Sequence, residues 1–294
     1  MAASAYLRAL RPEQWVKNAF VFVALVFAGR LSDLHADLLS LAAFVIFCAQ
    51  AGAVYLFNDV LDREDDRGHP LKRARPVAAG LVPPAGALTL SAALTAAALG
   101  AAVAIDRSFA LAVGGYAALN VCYSLALKRV IILDAIAVAA GFVLRTLAGC
   151  YVIDVMVTDW LIVSAMCISL LIAFGKRRQE LVLHTAASGE PPRSRPPYTV
   201  GFLDITLAVM AASTVVVYML YTKDPAIERK FGTDKLIWTN PFVVFGVLRY
   251  LYLVHGKTLG AAPTRDVTGD LPLVVTVLAW GAAATAVIYG WPAR

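Results

Sequence analysis

Runs of apolar residues, each roughly 18 to 22 residues long, fill most of this chain. A helix of that length spans the roughly 30 Å of hydrocarbon in a lipid bilayer. Of the 294 residues, 60% are hydrophobic and only 16% are charged. Soluble domains are nearer to about half apolar and about a quarter charged. The chain is therefore predicted to be an all-α integral membrane protein.

The runs predict nine transmembrane helices in a single transmembrane domain, residues 1–294. They cover residues 15–31, 38–58, 84–105, 108–127, 131–152, 159–175, 199–221, 236–254 and 271–291. Only Asp106 and Arg107 separate the third run from the fourth, so we expect a tight turn there. Segment 222–235 is expected to form either a short surface helix or a loop.

The basic residues are distributed unevenly between the segments that connect these runs. With the N-terminus in the cytoplasm, the inner segments carry 18 of the 26 Lys and Arg residues. Because cytoplasmic loops are the more basic ones in membrane proteins, we predict a plasma (inner) membrane protein with its C-terminus outside. The charge-rich segments, about 59–83, 128–130, 176–198 and 255–270, then face the cytoplasm. We expect them around a central cavity that opens to that side.

The second apolar run ends in a dense acidic stretch, Asn58-Asp59-Val60-Leu61-Asp62-Arg63-Glu64-Asp65-Asp66-Arg67. Asn58, Asp62 and Asp66 recur every four residues, so on a helix their side chains share one face. Such oxygen ligands suit Mg²⁺, which takes one or two protein carboxylates together with phosphate oxygens and water. Asn58, Asp59, Asp62 and Asp66 are therefore the predicted metal ligands, and a solvated helix end is the alternative interpretation.

A basic run, Lys72-Arg73-Ala74-Arg75, follows within a few residues. Its cations either attract anionic lipid, at about 1 kcal/mol per residue, or bind phosphate groups. Carboxylates and cations this close would only neutralise each other, whereas Mg²⁺ and a diphosphate would give both sets partners. We therefore predict that the acidic and the basic run together bind a diphosphate.

The segment before the first apolar run carries further candidates. Arg11, Pro12 and Trp15 fit the start of a helix that is anchored at the membrane interface. Lys17 and Asn18 lie further in. A lysine near the membrane surface is a candidate for holding a lipid phosphate.

Charged residues in the later runs allow two interpretations each. Arg145 lies three helical turns after Asp134, so the two share a face. Arg145 either faces a substrate cavity or forms a buried structural pair. Lys176 and Arg177 either contact a substrate or form the basic flank of a transmembrane helix.

The pattern Asn58-Asp59-x-x-Asp62-x-x-x-Asp66-Arg67 resembles the first aspartate motif of the UbiA superfamily of membrane prenyltransferases. Tyr123…Lys128-Arg129…Asp134 resembles the start of its second motif. Aromatic prenyltransferases of this superfamily carry two acidic residues there, four apart, where this chain has Asp134 and Val138. The decaprenyl-phosphate phosphoribosyltransferase branch is similar at more positions, namely Arg11-Pro-x-Gln14-Trp15-x-Lys17-Asn18, His69-Pro70-x-Lys72-Arg73-x-Arg75-Pro76 and Gly175-Lys176-Arg177-x-x-Glu180.

The resemblance implies a polyprenyl-phosphate phosphoribosyltransferase. Such an enzyme transfers 5-phosphoribose from 5-phosphoribosyl diphosphate to a polyprenyl (decaprenyl) phosphate with Mg²⁺ as cofactor and releases diphosphate. The product feeds arabinofuranose donors for cell-wall arabinan. The candidate catalytic residues are Asp59, Asp62, Asp66 and Lys72. The candidate substrate-binding residues are Lys17, Asn18, Arg67, Lys72, Arg73, Arg75, Tyr123, Lys128, Arg129, Asp134, Arg145, Lys176 and Arg177.

Besides the two substrates, we expect membrane lipid as a partner and no nucleic acid, and we leave a homo-oligomer open. Three other functions also remain open. An aromatic prenyltransferase of quinone biosynthesis is disfavoured by Val138 and by the surplus of basic residues. A transporter of an anionic solute would have charged residues along a path that faces both sides of the membrane, whereas here the charged residues collect on one side of it. A non-catalytic membrane subunit would show no turnover as a purified chain.

Overall fold

The computed structural model describes residues 2–68, 72–188, 197–256 and 269–290. Every regular element within those ranges is helical. The α-helices are α1 (Ala2–Ala9), α2 (Phe22–Phe27), α3 (Leu34–Leu61), α4 (Arg63–Gly68), α5 (Pro84–Ile105), α6 (Arg107–Leu125), α7 (Leu133–Val152), α8 (Asp159–Ser188), α9 (Val200–Lys223), α10 (Pro225–Phe231), α11 (Asn240–His255) and α12 (Leu271–Gly290). The 3-10 helices are Pro12–Val21, Lys72–Ala74, Leu127–Arg129 and Lys235–Thr239.

Eight helical stretches in the described ranges are long and apolar enough to cross a membrane. They are α3, α5, α6, α7, α8, α9, α12, and α11 together with the 3-10 helix before it. Each coincides with a predicted run to within a few residues, except that α8 continues beyond residue 175 to Ser188. The predicted all-α membrane fold is confirmed.

The first predicted run, residues 15–31, folds differently from the others. It begins within the 3-10 helix Pro12–Val21 and continues through α2. With rises of about 2.0 Å and about 1.5 Å per residue, these two helices together extend about 29 Å. That length is close to the thickness of the hydrocarbon layer. The predicted number of nine transmembrane helices is therefore approximate, since it depends on whether this segment is counted with the eight. A ten-residue 3-10 helix is unusual, because such helices rarely exceed about four residues.

Local sequence explains where several helices begin. The Asp33 side chain accepts the backbone N–H of His35 at 3.0 Å and caps α3. Asp106 has an extended backbone and accepts the N–H of Phe109 at 2.7 Å. Because this single residue ends α5 and caps α6, the predicted tight turn is confirmed.

The segment after α9 contains a short surface helix, one of the two predicted forms. Asp224 caps α10 by accepting the N–H of Ala226 at 2.7 Å. Gly232 ends the helix with a left-handed backbone, at a φ of 65°, as is common at helix C-termini. The indole of Trp160 donates a hydrogen bond to Asp224, and this bond holds the pKa of that carboxyl below its ordinary value.

Internal contacts divide the chain into two compact units. Unit 1 comprises Met1–Leu127 and Gly141–Val157, and unit 2 comprises Lys128–Ala140 and Thr158–Arg294. Helix α7 contributes residues to both units. That the chain forms a single domain stays a prediction.

In unit 1, an apolar cluster packs α1, α3 and the segment after the basic run against one another. It contains Ala9, Leu56, Val77 and Val82, none of which is exposed. This packing holds the segment around Val77 in place and with it the backbone that carries Arg75.

The 3-10 helix Pro12–Val21 lies very close to α7 in the same unit. A Cβ atom at Gly149 would lie 2.1 Å from the carbonyl oxygen of Val21. Only glycine permits this approach. The position of the N-terminal segment therefore depends on a residue far away in the sequence.

In unit 2, α8, α9 and α11 share an apolar core that includes Leu171, Leu203, Leu207 and Val247. The hydrophobic effect is non-directional, but burial of these side chains holds the three helices together. The polar side chains on these helices are thereby held in place as well. The same core contacts residues of the predicted second motif.

Candidate active site

The carboxylates of the first motif lie where α3 gives way to α4. Asp62 occupies the turn between the two helices. Its N–H donates to the carbonyl of Asn58 at 2.9 Å, and the N–H of Asp66 donates to the carbonyl of Asp62 at 2.8 Å. The helical register therefore continues through the turn, and Asn58, Asp62 and Asp66 keep the spacing of one face.

Burial distinguishes two of these carboxylates from the rest. Asp59 is 1% exposed and Asp66 is 2% exposed, whereas Asp62 is half-buried. Nη1 of Arg75 lies 2.6 Å from Oδ2 of Asp66 and 3.4 Å from Oδ1 of Asp59. The guanidinium of Arg11 also pairs with Oδ1 of Asp59. These four residues, Arg11, Asp59, Asp66 and Arg75, form a charge-balanced group in unit 1, the aspartate–arginine cluster.

The sequence did not predict that Arg11 pairs with Asp59. From the sequence alone, Arg11 is interpreted as part of a helix start at the membrane interface. The residue lies just before the 3-10 helix with a left-handed backbone, at a φ of 52°, which is uncommon for residues other than glycine. Its guanidinium lies 5.0 Å from the centre of the Tyr55 ring. Because Asp59 lies 48 residues away in the sequence, no local signal indicated this pair.

Asp59 has an oxygen that fits a metal ion. Its Oδ2 atom is buried and has no hydrogen-bond partner in the described part of the chain, and such an atom costs about 1–3 kcal/mol. Within the same ranges, no three His, Cys, Asp or Glu side chains are placed to hold a metal by themselves. Mg²⁺ needs only one or two protein carboxylates when phosphate oxygens and water complete its shell. The residues therefore fit a magnesium ion that brings oxygen ligands with it.

Asn58 is tied to a neighbouring helix of unit 1. The hydroxyl of Ser124 pairs with Oδ1 of Asn58 and lies 2.8 Å from the carbonyl of Asn120. Ser124 is buried at the end of α6, next to the half-buried Tyr123. Sequence reasoning chose Tyr123 and missed Ser124, since a serine in an apolar run carries no distinct signal.

The predicted cations near the cluster differ in their surroundings. Arg75 reaches the carboxylates, whereas Arg73 is exposed and Lys72 is half-buried. Arg67 pairs with Glu64 at 3.0 Å and donates from Nε to the carbonyl of Ala78 at 3.2 Å. Arg67 therefore ties α4 to the segment after the basic run.

Arg145 is 5% exposed and lies in the apolar interior of unit 1. Its guanidinium donates to Oδ1 of Asn18 at 2.7 Å, to the carbonyl of Gly141 at 2.9 Å and to the hydroxyl of Tyr116 at 2.8 Å. The Tyr116 ring lies 4.4 Å from it. These contacts correspond to the structural interpretation of Arg145, with neutral acceptors in place of a carboxylate. They fix Asn18, which is not exposed, and with it the neighbouring, half-buried Lys17.

Asp134 of the second motif is the centre of a separate network in unit 2. It is not exposed, and it accepts hydrogen bonds from the hydroxyl of Tyr198 at 2.5 Å and from Nε of Arg177 at 2.7 Å. The N–H of Ile132 donates to Tyr198 at 2.7 Å, and Arg177 also donates to Glu180 at 3.1 Å. Burial, followed by the bond to Asp134, raises the pKa of Tyr198.

Four residues after Asp134, Val138 packs against the apolar core of unit 2. Because this residue is a valine, this turn of α7 lacks the second carboxylate. Of the remaining candidates in unit 2, Lys128 is half-buried, and Arg129 and Lys176 are exposed. Sequence reasoning missed Tyr198, which follows a proline-rich stretch that looked like a connector.

Each unit thus brings some predicted residues together. Unit 1 joins Asp59, Asp66 and Arg75, and separately Asn18 and Arg145. Unit 2 joins Asp134 and Arg177. His69, Pro70, much of the proline-rich connector and most of segment 255–270 lie outside the described residues. Their predicted roles stay predictions, as does the central cavity.

Comparison of the chain with known proteins identifies its family. Residues 18–176 match the UbiA prenyltransferase family. A decaprenyl-phosphate phosphoribosyltransferase of Corynebacterium glutamicum is 34% identical over 298 residues, which cover 99% of this chain and 88% of that protein. The protein of the same name in Mycolicibacterium smegmatis is 32% identical over 298 residues, covering 97% of this chain and 93% of that protein.

A solved structure has the same fold. The structure of a UbiA homolog from Archaeoglobus fulgidus bound to GPP and Mg²⁺ superposes with a TM-score of 0.70 at 22% identity. The superposition covers 97% of this chain and 99% of the other. The expected multi-pass membrane enzyme and the resemblance in sequence are confirmed. On the family match and the near full-length relatives, this chain belongs to the UbiA prenyltransferase family.

Proposed function

We propose that the chain transfers 5-phosphoribose from 5-phosphoribosyl diphosphate to a polyprenyl phosphate and releases diphosphate. The observation that carries this proposal is the near full-length identity of 32–34% with two relatives that bear the name decaprenyl-phosphate phosphoribosyltransferase. The product would serve as a precursor of arabinofuranose donors for cell-wall arabinan. The presence of Val138 four residues after Asp134 agrees with a donor that differs from a prenyl diphosphate.

The donor diphosphate binds at the aspartate–arginine cluster. Asp59 offers a buried oxygen without a hydrogen-bond partner in the described ranges, and Asn58, Asp62 and Asp66 lie in the same helical register. Mg²⁺ bound to these oxygens would neutralise charge on the departing diphosphate. Arg75 reaches the phosphate oxygens through charge-assisted hydrogen bonds, and Lys72 and Arg73 add positive charge nearby.

The reaction exchanges one bond at the anomeric carbon for another. The bond from C1 of the ribose to the diphosphate oxygen breaks, and its electron pair leaves with diphosphate. An oxygen of the lipid phosphate supplies the pair for the new bond to C1. Positive charge that develops on the ribose ring is matched by cations around the leaving group. The acceptor phosphate is already ionised near neutral pH, so no side chain has to remove a proton.

The two remaining phosphates need further cations. Lys17 holds the lipid phosphate, on a segment that Asn18 and Arg145 anchor. Lys72 and Arg73 are the candidates in unit 1 for the 5-phosphate of the donor. The polyprenyl chain lies along apolar helix faces, and the soluble donor enters from the cytoplasm, the side on which the basic bias puts these residues.

One experiment separates this function from the other activities that the sequence leaves open. Purified protein in detergent is incubated with ribose-labelled 5-phosphoribosyl diphosphate, polyprenyl phosphate and Mg²⁺, and the lipid is extracted. We expect label in the lipid fraction, release of diphosphate, and loss of both when the metal is chelated. Transfer of a prenyl group to an aromatic acid, with no label from the ribose donor, would overturn the proposal.

A matched pair of variants links the activity to the cluster. Asp59→Asn removes a predicted metal ligand, whereas Asp65→Asn changes an exposed carboxylate on the neighbouring turn. We expect activity to disappear only in the first variant.

A further inference from the structure

We propose that Arg11 is part of the donor site and that Arg11 and Arg75 together make metal binding depend on diphosphate. This inference rests on the proposed function. In the absence of diphosphate, the two guanidiniums occupy the carboxylates and keep divalent cations out. When a diphosphate enters, both arginines move to its oxygens and leave the carboxylates to the metal.

The charge balance of the cluster supports this exchange. Oδ1 of Asp59 pairs with Arg11 and lies 3.4 Å from Arg75, which also pairs with Asp66. The carboxylates are almost completely buried, so their charges are poorly screened and need partners. Two positive and two negative groups cancel without any metal.

A divalent cation on its own would disturb this balance. To take Oδ1 of Asp59 or Oδ2 of Asp66 as further ligands, it would have to separate these atoms from the guanidiniums, which would then remain near the new positive charge. Repulsion among these cations and the loss of the three ion pairs of the cluster oppose binding. The cluster should therefore have a low affinity for free Mg²⁺.

A diphosphate reverses the situation. It brings several negative oxygens that match the planar guanidinium group, so each arginine exchanges one anionic partner for another. The carboxylates then regain a partner in the metal, and phosphate oxygens and water complete its shell. Within the described ranges no three His, Cys, Asp or Glu side chains form a metal cage, so oxygens from the diphosphate would supply ligands that these side chains do not.

The surroundings of Arg11 suit such a movement. Its side chain is 22% exposed, whereas that of Asp59 is 1% exposed. The ring of Tyr55 lies 5.0 Å from its guanidinium, within the distance at which a cation and an aromatic ring attract each other. Oδ2 of Asp59 is meanwhile free of hydrogen bonds within the described ranges, so one ligand atom is available before the exchange begins.

The inference predicts reciprocal coupling between metal and diphosphate. Mn²⁺, a paramagnetic substitute for Mg²⁺, is titrated into the purified full chain in nanodiscs with and without inorganic diphosphate. We expect wild-type protein to bind Mn²⁺ at least about tenfold more tightly when diphosphate is present, after correction for Mn²⁺–diphosphate complexes in solution. Equal affinity under both conditions would overturn the inference, whatever the variants do.

The variants Arg11→Gln and Arg75→Gln separate the two roles of the arginines. In the absence of diphosphate, each variant should bind Mn²⁺ at least about tenfold more tightly than wild type does, because one competing cation is gone. Each should also bind diphosphate more weakly, because one phosphate ligand is gone. If both variants bind free Mn²⁺ as weakly as wild type does, the arginines do not exclude the metal.

Two controls complete the design. Arg30→Gln removes a cation that pairs with Asp33 at 3.6 Å outside the cluster, and neither affinity should change. Arg75→Lys keeps the charge, so free Mn²⁺ should bind as weakly as it does to wild type. Because these titrations need no turnover, coupling without label transfer would refute the proposed function alone, and label transfer without coupling would refute this inference alone.

Discussion

Nη1 of Arg75 lies 2.6 Å from Oδ2 of Asp66. This contact joins the acidic run at the end of α3 and α4 to the basic run that follows it. In the sequence the two runs are only neighbours, with a diphosphate predicted between them. In the structure Arg75 of the basic run pairs directly with Asp66 of the acidic run and partly neutralises its charge.

Replacing Asp59 by Asn should reduce transfer of labelled ribose by roughly a hundredfold or more, because a neutral amide binds Mg²⁺ more weakly than a carboxylate does and developing charge on the diphosphate is then less well compensated. The rate is measured per folded protein, with folding checked by gel filtration. Asp65→Asn should stay within about twofold of wild type. Full activity of Asp59→Asn would refute its role as a metal ligand.

Arg75→Ala should raise KM for the soluble donor about tenfold to a hundredfold, since a hydrogen bond to a charged group contributes about 1.5–3 kcal/mol. KM for the lipid acceptor should stay nearly constant. Arg73→Ala should have a smaller effect, because Arg73 is exposed and Arg75 is in the cluster. Steady-state kinetics with each substrate varied in turn would test this order. An equal rise in both KM values would contradict a donor role.

Gly149→Ala should destabilise the protein by about 1–3 kcal/mol, because the added methyl group overlaps with the backbone of Val21 and forces the segments apart. Activity should fall as well, since the displaced 3-10 helix carries Lys17 and follows Arg11. Thermal unfolding in detergent measures the first effect. Gly100→Ala is the matched control, because nothing lies within 4 Å of its added methyl group. Similar losses in both variants would argue against a close approach at Gly149.

Tyr198→Phe should lower the free energy of unfolding by about 1–3 kcal/mol, since the N–H of Ile132 loses its acceptor and Asp134 loses a donor. Denaturant unfolding in mixed micelles measures this change. Phe202→Leu is a comparison on the same segment, because Phe202 stacks on Tyr198 at 5.9 Å without a hydrogen bond to Asp134. If only the loss of aromatic stacking matters, the two variants will be equally destabilised.

The raised pKa of Tyr198 also predicts a pH dependence. The folded state keeps this hydroxyl protonated, whereas in the unfolded state it ionises near its ordinary pKa of about 10. Its contribution to stability is therefore complete below about pH 10 and is lost as the pH rises towards the folded-state pKa. Tyr198→Phe should show a shallower loss of stability in alkaline solution than wild type. An unchanged slope would mean that other groups govern the alkaline transition.

Much of the site could be predicted from local pattern. The four-residue spacing of Asn58, Asp62 and Asp66 is helical in the structure, because backbone hydrogen bonds continue through the turn at Asp62. The sequence did not indicate that Asp59 and Asp66 are the buried pair. They lie seven residues apart on neighbouring helices, and their burial depends on what packs against them.

Arg145 and Asp134 show the same limit. Their common face on α7 follows from helical geometry, but their partners do not. Arg145 contacts Asn18 and Tyr116, while Asp134 contacts Tyr198 and Arg177. These contacts connect residues that the sequence shows far apart, so one helix contributes to two separate networks.

The sequence by itself determined the membrane helices, the residue types of the motif and the family resemblance. Apolar length and helical spacing are local properties, and a bilayer leaves the backbone few alternatives to a helix. Only the tertiary structure decided which charges are paired, which carboxylate oxygen remains open and that Arg11 belongs beside Asp59. An ion pair depends on distance in space and on exclusion of water, and both arise only when packing brings remote segments together.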